Sequence, residues 1–283
     1  MSVRLLEQLD LIADAPNGIQ KLRGLILELA VRGKLVSVDT ELSATITLGE
    51  VGKWAVGSGF PTAEQGKLGL EILFAKVSDM NLPENKRFIS VTNHTISRES
   101  AKRLKVNIHP TGTVVFPKIG GAIATNKRRV LVQDTAIDNN CLGITPKTGI
   151  DSDWLFVLLS SIDLTKYQAG TSVPALAQGI LSEIPVLLPP LAEQNRIVAK
   201  VDELMALCDR MEAERADAES AHNTLVHTLL ATLTQSADAA ELAASHSPCL
   251  ALLTSSTIMF LHCLVMEETW WDVWRWCCLA QRR

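Results

Sequence analysis

The residues best suited to chemistry are the lysines and arginines in the middle of the chain. Residues 76–129 hold eleven basic side chains against Asp79, Glu84 and Glu99, a net of +8, although the whole chain has a net charge of −4. Cationic side chains at this density bind polyanions such as nucleic acid phosphates. A solvated basic face without a ligand is the alternative.

Within this window, basic residues stand beside glycine and asparagine, in the segments 118–121 and 126–129. Glycine lets the backbone approach a phosphate closely, and Arg and Asn can recognise guanine and adenine edges in the major groove. Binding to duplex DNA is therefore chemically possible. The side chains that we expect to contact DNA are Lys118, Lys127, Arg128, Arg129, Arg98 and Arg103.

The sequence does not favour catalysis. It has no G-x-G-x-x-G motif of the kind that binds a methyl-donor or dinucleotide cofactor. Gly66-Lys67 lacks the earlier glycine and the following Ser or Thr of a phosphate-binding loop, because Pro61 and Leu68 occupy those places. His94 and His109 have no acidic or cysteine partners at metal-ligand spacing. We expect no catalytic site, no metal and no cofactor.

The elements that must position the basic residues form an α+β fold. Short apolar runs at 71–77, 112–117 and 129–132 lie between Gly, Pro, Asn and Asp clusters, which predicts short strands and irregular loops. Apolar residues sharing a face predict a helix near 153–161. Before this domain, helical periodicity at Leu5–Ile12 and again from Ile19 to Gly33 predicts two helices.

A heptad pattern follows the domain and predicts one long helix over residues 191–235, about 65 Å in length. Such a helix is too long for a globular domain to cover, so it must pack against another long helix. Arg215 and His222 lie on this seam, where they are better suited to setting the register than to catalysis. The residues expected to form the pairing surface are Ile197, Val201, Leu204, Cys208, Met211, Leu225 and Leu229.

The ends of the chain bear on its location. Residues 236–283 differ from the rest because they hold four of the six tryptophans and four of the six cysteines. The segment 249–266 is almost uncharged but short for a membrane helix, so a frameshifted or poorly packed tail is the preferred interpretation. Met1–Asp10 lacks the apolar run of a secretory signal, and no cysteines form a C-x-x-C pair. We expect a cytoplasmic protein.

One segment resembles a known family. The run from Ile184 to Asp209 has a double proline followed by Glu-Gln-x-Arg-Ile-Val, at Pro189, Pro190, Glu193, Gln194, Arg196, Ile197 and Val198. It resembles the start of the spacer helix in specificity subunits of type I restriction-modification enzymes. The segment Gln20–Val36 is similar to the family's other conserved stretch, and the resemblance spans residues 18–235.

The resemblance implies a domain order and a function. Residues 1–37 would be a conserved helical segment, 38–190 the target recognition domain, 191–235 the spacer helix that dimerises and docks a methyltransferase subunit, and 236–283 an atypical tail, frameshifted or disordered. The chain would bind one half-site in duplex DNA without a catalytic site of its own. Methyltransferase and restriction subunits would bind to it and do the chemistry.

A full-length subunit of the family has two recognition domains and two spacer helices, whereas this chain has one of each. A homodimer through antiparallel long helices would supply the missing half and recognise an inverted repeat. Two alternatives remain open. One is a degenerate fragment that acts only as an interaction module for the methyltransferase subunit, and the other is a membrane-tethered coiled-coil protein.

Overall fold

The computed structural model describes residues 17–36, 43–170 and 173–235, and its α+β architecture confirms the predicted fold class. The helices are α1 (Gly18–Val31), α2 (Arg98–Arg103), α3 (Ser152–Ser161), α4 (Gln178–Ser182) and α5 (Leu191–Gln235). The strands are β1 (Ala44–Thr47), β2 (Gly52–Val56), β3 (Ile72–Ala75), β4 (Phe88–Ile89), β5 (Thr95–Ile96), β6 (Ile108–His109), β7 (Val114–Pro117), β8 (Arg129–Leu131), β9 (Thr135–Ile137), β10 (Cys141–Pro146), β11 (Gln168–Ala169), β12 (Ala175–Leu176) and β13 (Pro185–Leu188).

Two mixed sheets form the centre of the domain. The larger sheet has the strand order β2-β10-β7-β8-β4, and the smaller has the order β5-β3-β9-β6. In each sheet one pair of strands is parallel, β4 with β8 and β3 with β9, and the other pairs are antiparallel. The strands are short because loops and 3-10 turns interrupt the chain every few residues.

Alternation along the strands separates three apolar layers, since successive side chains of a strand point to opposite faces. In β7, Val114 and Phe116 face the helices while Val115 faces the second sheet. In β3, Phe74 packs beneath α2 while Ala75 returns to the space between the sheets. The domain is therefore layered as helices, large sheet, small sheet and α2.

The chain passes from the large sheet to the small one at Gly57. Its amide donates to Cys141 O, and the next amide, of Ser58, donates to Ile137 O at 2.8 Å. A side chain on Gly57 would place its Cβ 1.9 Å from Asp138 O, so this crossing requires glycine.

The helix α1 ends as the sequence predicts. Gly33 adopts a left-handed φ of 65°, and the amide of Lys34 donates to Leu29 O at 2.9 Å, which closes the C-terminus in a Schellman-type turn. The apolar face of α1, with Ile19, Leu22 and Ile26, is buried in the same core as α3. At the start of α3, the Asp151 side chain accepts hydrogen bonds from two backbone amides.

The two ends of the domain are held together by a short ladder. β1 pairs antiparallel with β13, so that Ala44 lies opposite Leu188 just before the long helix begins. The segment after α1 and the segment before α5 therefore run side by side.

The chain divides into two units, residues 1–212 and 213–283. In the second unit, residues 213–231 are helical and exposed on every side. Within the described residues, no helix is both long enough and apolar enough to span a membrane. The helix predicted at Leu5–Ile12 and the predicted tail at 236–283 lie outside the described residues.

Candidate nucleic-acid interface

The side chain of Arg128 is buried, with 3% of the residue exposed. Its guanidinium donates to the backbone carbonyls of Asn126 and Ile162. Burial lowers the pKa of Arg128 to about 10, with the nearby Asp163 carboxylate acting in the opposite direction. A phosphate or base edge cannot reach this group, so the prediction that Arg128 contacts DNA is wrong. The residue instead ties the turn before β8 to the end of α3.

Arg129 is half-buried and also serves the fold. Its guanidinium donates to Met80 O and to Arg128 O, both at 2.6 Å, and to Asn85 O. Burial lowers the pKa of Arg129 below its usual value. With three carbonyls around its donors, Arg129 fixes the loop between β3 and β4, and its contact with DNA stays a prediction.

A buried polar network completes this loop. The Asp79 carboxylate accepts hydrogen bonds from the Lys76 amide at 2.7 Å and from the Asn93 side chain at 2.6 Å. The Asn85 side chain donates to Asp79 O and Val91 O. Arg129 is the cationic member of this network, and each of these groups is used inside the protein.

Arg98 and Arg103 lie at opposite ends of α2, and both side chains are more than half exposed. Arg98 lies 3.7 Å from the Asp134 carboxylate, and Arg103 contacts Glu64 at 2.6 Å. Hydrogen bonds from Lys67 and then from Arg103 keep the pKa of Glu64 below its usual value, against the effect of burial. Both arginines are accessible to a polyanion, and their contact with DNA stays a prediction.

Lys118 and Lys127 flank one 3-10 turn, Gly121–Thr125, between β7 and β8. Lys118 is partly exposed. Its backbone carbonyl accepts a hydrogen bond from the Leu176 amide, and this bond anchors Lys118 to strand β12. Lys127 is partly exposed and donates to the Asn81 side chain. The structure thus brings these two lysines to one turn, and the two arginines to α2.

Sequence reasoning left out Lys102 and Lys105, which are exposed in and just after α2. Lys105 has a left-handed φ of 53°. Both lysines lie in the basic window 76–129, but the sequence did not show which side chains of that window are exposed. With Arg98 and Arg103 they make α2 and its C-terminal end a basic surface.

The first part of the predicted pairing seam is used within the chain. Ile197, Val201, Leu204 and Cys208 are 0–7% exposed and share a core with Ile19, Leu22, Ile26 and Ala30 of α1, and Met211 is partly buried against it. Side chains already buried cannot form a surface for a second chain. The prediction that the four buried residues pair between copies is wrong, because their partner is the chain's own α1, whereas the pairing of Met211 stays a prediction. Leu225 and Leu229 stay exposed, at 55% and 36%.

The double-proline motif has a clear structural role. Gln194 is fully buried. Its side-chain oxygen accepts a hydrogen bond from the Asp151 amide at 2.8 Å, and its side-chain nitrogen donates to Gly149 O at 3.1 Å and to Pro189 O at 2.9 Å. Glu193 and Arg196 form an ion pair on the outer face of α5. The motif therefore joins the first turn of the long helix to the loop before α3.

These features describe an α+β domain with two mixed sheets and an exposed basic helix, followed by one long helix. Residues 41–219, which run from just before β1 into α5, match the family described as "Type I restriction modification DNA specificity domain". The chain belongs to this family, as its sequence motifs predicted.

The chain is similar to specificity subunits of two Escherichia coli enzymes. It is 26% identical to the EcoEI subunit and 25% identical to the EcoAI subunit, in each case over 274 aligned positions covering 80% of this chain and 46% of the relative. The chain thus spans about half the length of these curated relatives. Their names describe specificity subunits of type I restriction enzymes.

A solved structure shares the fold. The HsdS subunit from Thermoanaerobacter tengcongensis superimposes with a TM-score of 0.54 at 18% identity, covering 78% of this chain and 52% of that one.

Proposed function

We propose that this chain is a DNA-sequence-recognition subunit of a type I restriction-modification system that binds one half-site in duplex DNA. The match of residues 41–219 to the DNA specificity domain family is the observation that carries the proposal. In this function the chain contributes no chemistry, and methyltransferase and restriction subunits act on the DNA to which it binds. Such a complex works in the cytoplasm.

The accessible basic side chains support binding of the domain to the phosphate backbone of DNA. Lys118 and Lys127 at one turn, and Arg98 and Arg103 on α2, provide positive charge on both central sheets of the domain. Phosphate contacts of this kind fix the register of the protein on the duplex, while base edges supply the specificity.

We also propose that two copies pair through the C-terminal part of α5. The exposed apolar residues there follow the heptad spacing, and exposed apolar stripes of this kind are covered in stable helices. The residues that form this stripe are Leu225, Val226, Leu229 and Leu230, with 36–55% exposure. Antiparallel pairing of this segment would place two recognition domains on one inverted repeat.

Selection from a random duplex library tests DNA recognition. The chain is used alone and together with a methyltransferase subunit of a type I system, and bound DNA is sequenced. We expect enrichment of a bipartite sequence with a fixed spacing. A stable, folded chain that enriches no sequence in either condition would overturn the proposed function.

Sedimentation of the double variant Leu225→Ser/Leu229→Ser tests the pairing. We expect the wild-type chain to form a dimer and the variant to form a monomer with an unchanged circular dichroism spectrum. The matched control is Thr224→Ser/Thr228→Ser, which alters the opposite face of the same helix at the same four-residue spacing, and it should stay dimeric. A dimeric Leu225→Ser/Leu229→Ser variant would exclude this surface.

The same exposed stripe favours a second candidate function, an interaction module that binds the methyltransferase subunit without recognising DNA. In that case the chain would be a monomer alone, would enrich no sequence, and would bind the methyltransferase subunit through Leu225 and Leu229.

A further inference from the structure

Arg87 connects three elements that are distant in sequence. It precedes the edge strand β4 of the large sheet, and its side chain is 23% exposed. Its Nη1 donates to Asp202 Oδ1 of α5 at 2.8 Å, and its Nη2 lies 2.9 Å from Asp153 Oδ1 of α3. The rings of Phe156 and Phe88 lie 5.0 and 5.5 Å from its Cζ. One guanidinium therefore joins the recognition domain to the long helix.

The chemistry of this contact suits an orienting role. Apolar burial holds the first half of α5 on the domain, and the hydrogen bonds of Gln194 fix its first turn. Apolar contacts alone have little directionality, so beyond that turn a polar contact can set how the helix is rotated. The hydrogen bond from Arg87 to Asp202 is directional, because a planar guanidinium donates within its own plane. The Asp153 carboxylate adds an ion pair without a hydrogen bond. The Arg87 side chain is 23% exposed while Asp153 and Asp202 are 37% and 51% exposed, so water and salt screen these ion pairs in part.

A second contact of the same kind lies further along α5. Arg23 of α1 contacts Asp209 at 2.7 Å and Glu212 at 2.9 Å. Asp202 and Asp209 are seven residues apart and so lie on the same side of the helix. By contrast, Glu203 contacts Lys200 of its own helix. Asp202 therefore joins α5 to the sheet domain through Arg87, whereas the adjacent Glu203 forms its ion pair within α5 itself.

We propose that Arg87 is a positioning residue that sets the orientation of the recognition domain on α5, and with it the spacing between the two half-sites that a pair of chains recognises. This inference rests on the proposed function for its consequence in DNA binding. The orientation itself is a property of the protein alone, and it can be measured without DNA.

The first arm of the test measures orientation in the full chain. Spin labels are attached through ketone-bearing unnatural amino acids at Asn139 and Ala206, both exposed, and their distance distribution is recorded by pulsed electron paramagnetic resonance. We expect one narrow distribution for the wild type and a clearly broader one for Arg87→Ala and for Asp202→Asn. Glu203→Gln makes the same change of charge at the next residue and should leave the distribution narrow.

The second arm measures half-site spacing by selection from duplexes in which the spacing varies. We expect Arg87→Ala and Asp202→Asn to keep the half-site sequence while the preference for one spacing over its neighbours falls about tenfold, the effect of losing one directional contact of about 1.4 kcal/mol. A change in stability alone would lower all binding equally and would not alter this preference. Glu203→Gln should behave as the wild type.

The outcomes separate the two proposals. If the wild type enriches no sequence, the proposed function fails, and the distance arm still decides whether Arg87 orients the domain. Distance distributions that stay narrow in both variants would overturn the inference. If the wild type selects DNA, an unchanged spacing preference in both variants would overturn it as well. Asp202→Asn alters an exposed helix residue and should fold even if Arg87→Ala does not, so the test does not depend on one variant.

Discussion

Neighbouring cationic residues in this chain differ in burial, and burial decides whether a side chain can reach a ligand in solution. Arg128 and Arg129 lie in the most basic part of the sequence, yet their guanidiniums bind backbone carbonyls inside the protein. Lys127, one position earlier, is partly exposed. Charge density located a basic region, but it did not distinguish the side chains that face water from those that hold a loop.

Replacing Arg128 tests its structural role. We expect Arg128→Met to lower the free energy of unfolding by about 2–4 kcal/mol, because two buried carbonyls lose their donor. Arg103→Met, at a side chain that is 61% exposed, should cost less than about 1 kcal/mol. Urea unfolding at pH 7 measures both. An Arg128→Met chain of wild-type stability that binds DNA weakly would restore Arg128 as a contact.

His109 predicts a dependence of stability on pH. The residue is 2% exposed, and burial, with a smaller effect of Lys53, lowers the pKa of His109 to about 4. The unfolded chain, with a pKa near 6.5, then binds more protons than the folded chain between these values. The stability is therefore complete above about pH 6.5 and decreases as the pH falls toward 4.

We expect His109→Gln to remove this decrease, so that the wild type loses about 3 kcal/mol more than the variant between pH 7 and pH 4. Urea unfolding across this range measures the difference, with His222→Gln, on an exposed helix face, as the control. Parallel curves for the wild type and His109→Gln would show that the imidazole is not the group responsible.

At the scale of elements, the long helix has two differing halves. Its first half buries Ile197, Val201 and Leu204 against α1, while residues 213–231 are exposed. The heptad spacing is continuous through both halves, so periodicity alone predicted one pairing partner for the whole helix. The partner of the first half is a helix almost 180 residues earlier in the chain, a contact that spacing does not specify.

The first turn of α5 is expected to depend on Gln194. Replacing Gln194 by Ala should lower the free energy of unfolding by about 2–3 kcal/mol, since three hydrogen bonds of a buried amide are lost. Asn195→Ala, at the exposed adjacent position, should change it by less than about 0.5 kcal/mol. Thermal unfolding of both variants measures the contrast, and equal midpoints would contradict the role given to Gln194.

At the scale of the whole molecule, a net charge of −4 coexists with a net of +8 in residues 76–129. Binding to DNA should therefore depend strongly on salt, because each phosphate contact releases counterions. We expect Lys118→Ala and Lys127→Ala each to reduce the slope of log K against log salt by about 1. Fluorescence anisotropy of a selected duplex measures the slopes.

The control for this experiment is Lys200→Ala, which removes a lysine that contacts Glu203 on α5. Its slope should equal that of the wild type. Unchanged slopes for both Lys118→Ala and Lys127→Ala would remove the 118–127 turn from the DNA interface.

The sequence by itself determined what depends on local patterns. Periodicity located α1, α3 and α5, because residues three and four apart share a helix face whatever lies nearby. Gly33 predicted the end of α1, since few other residues adopt its φ. The double-proline motif predicted the family, which the match of residues 41–219 confirms.

The tertiary structure decided which side chains are buried and by which partner. Burial depends on segments far apart in sequence, such as α1 and α5, or Arg128 and the end of α3. The same folding placed Arg87 within reach of Asp153 and Asp202, 115 residues away in the case of Asp202. Local spacing carries no information about contacts of this range, so the basic residues available to DNA emerged only from the folded chain.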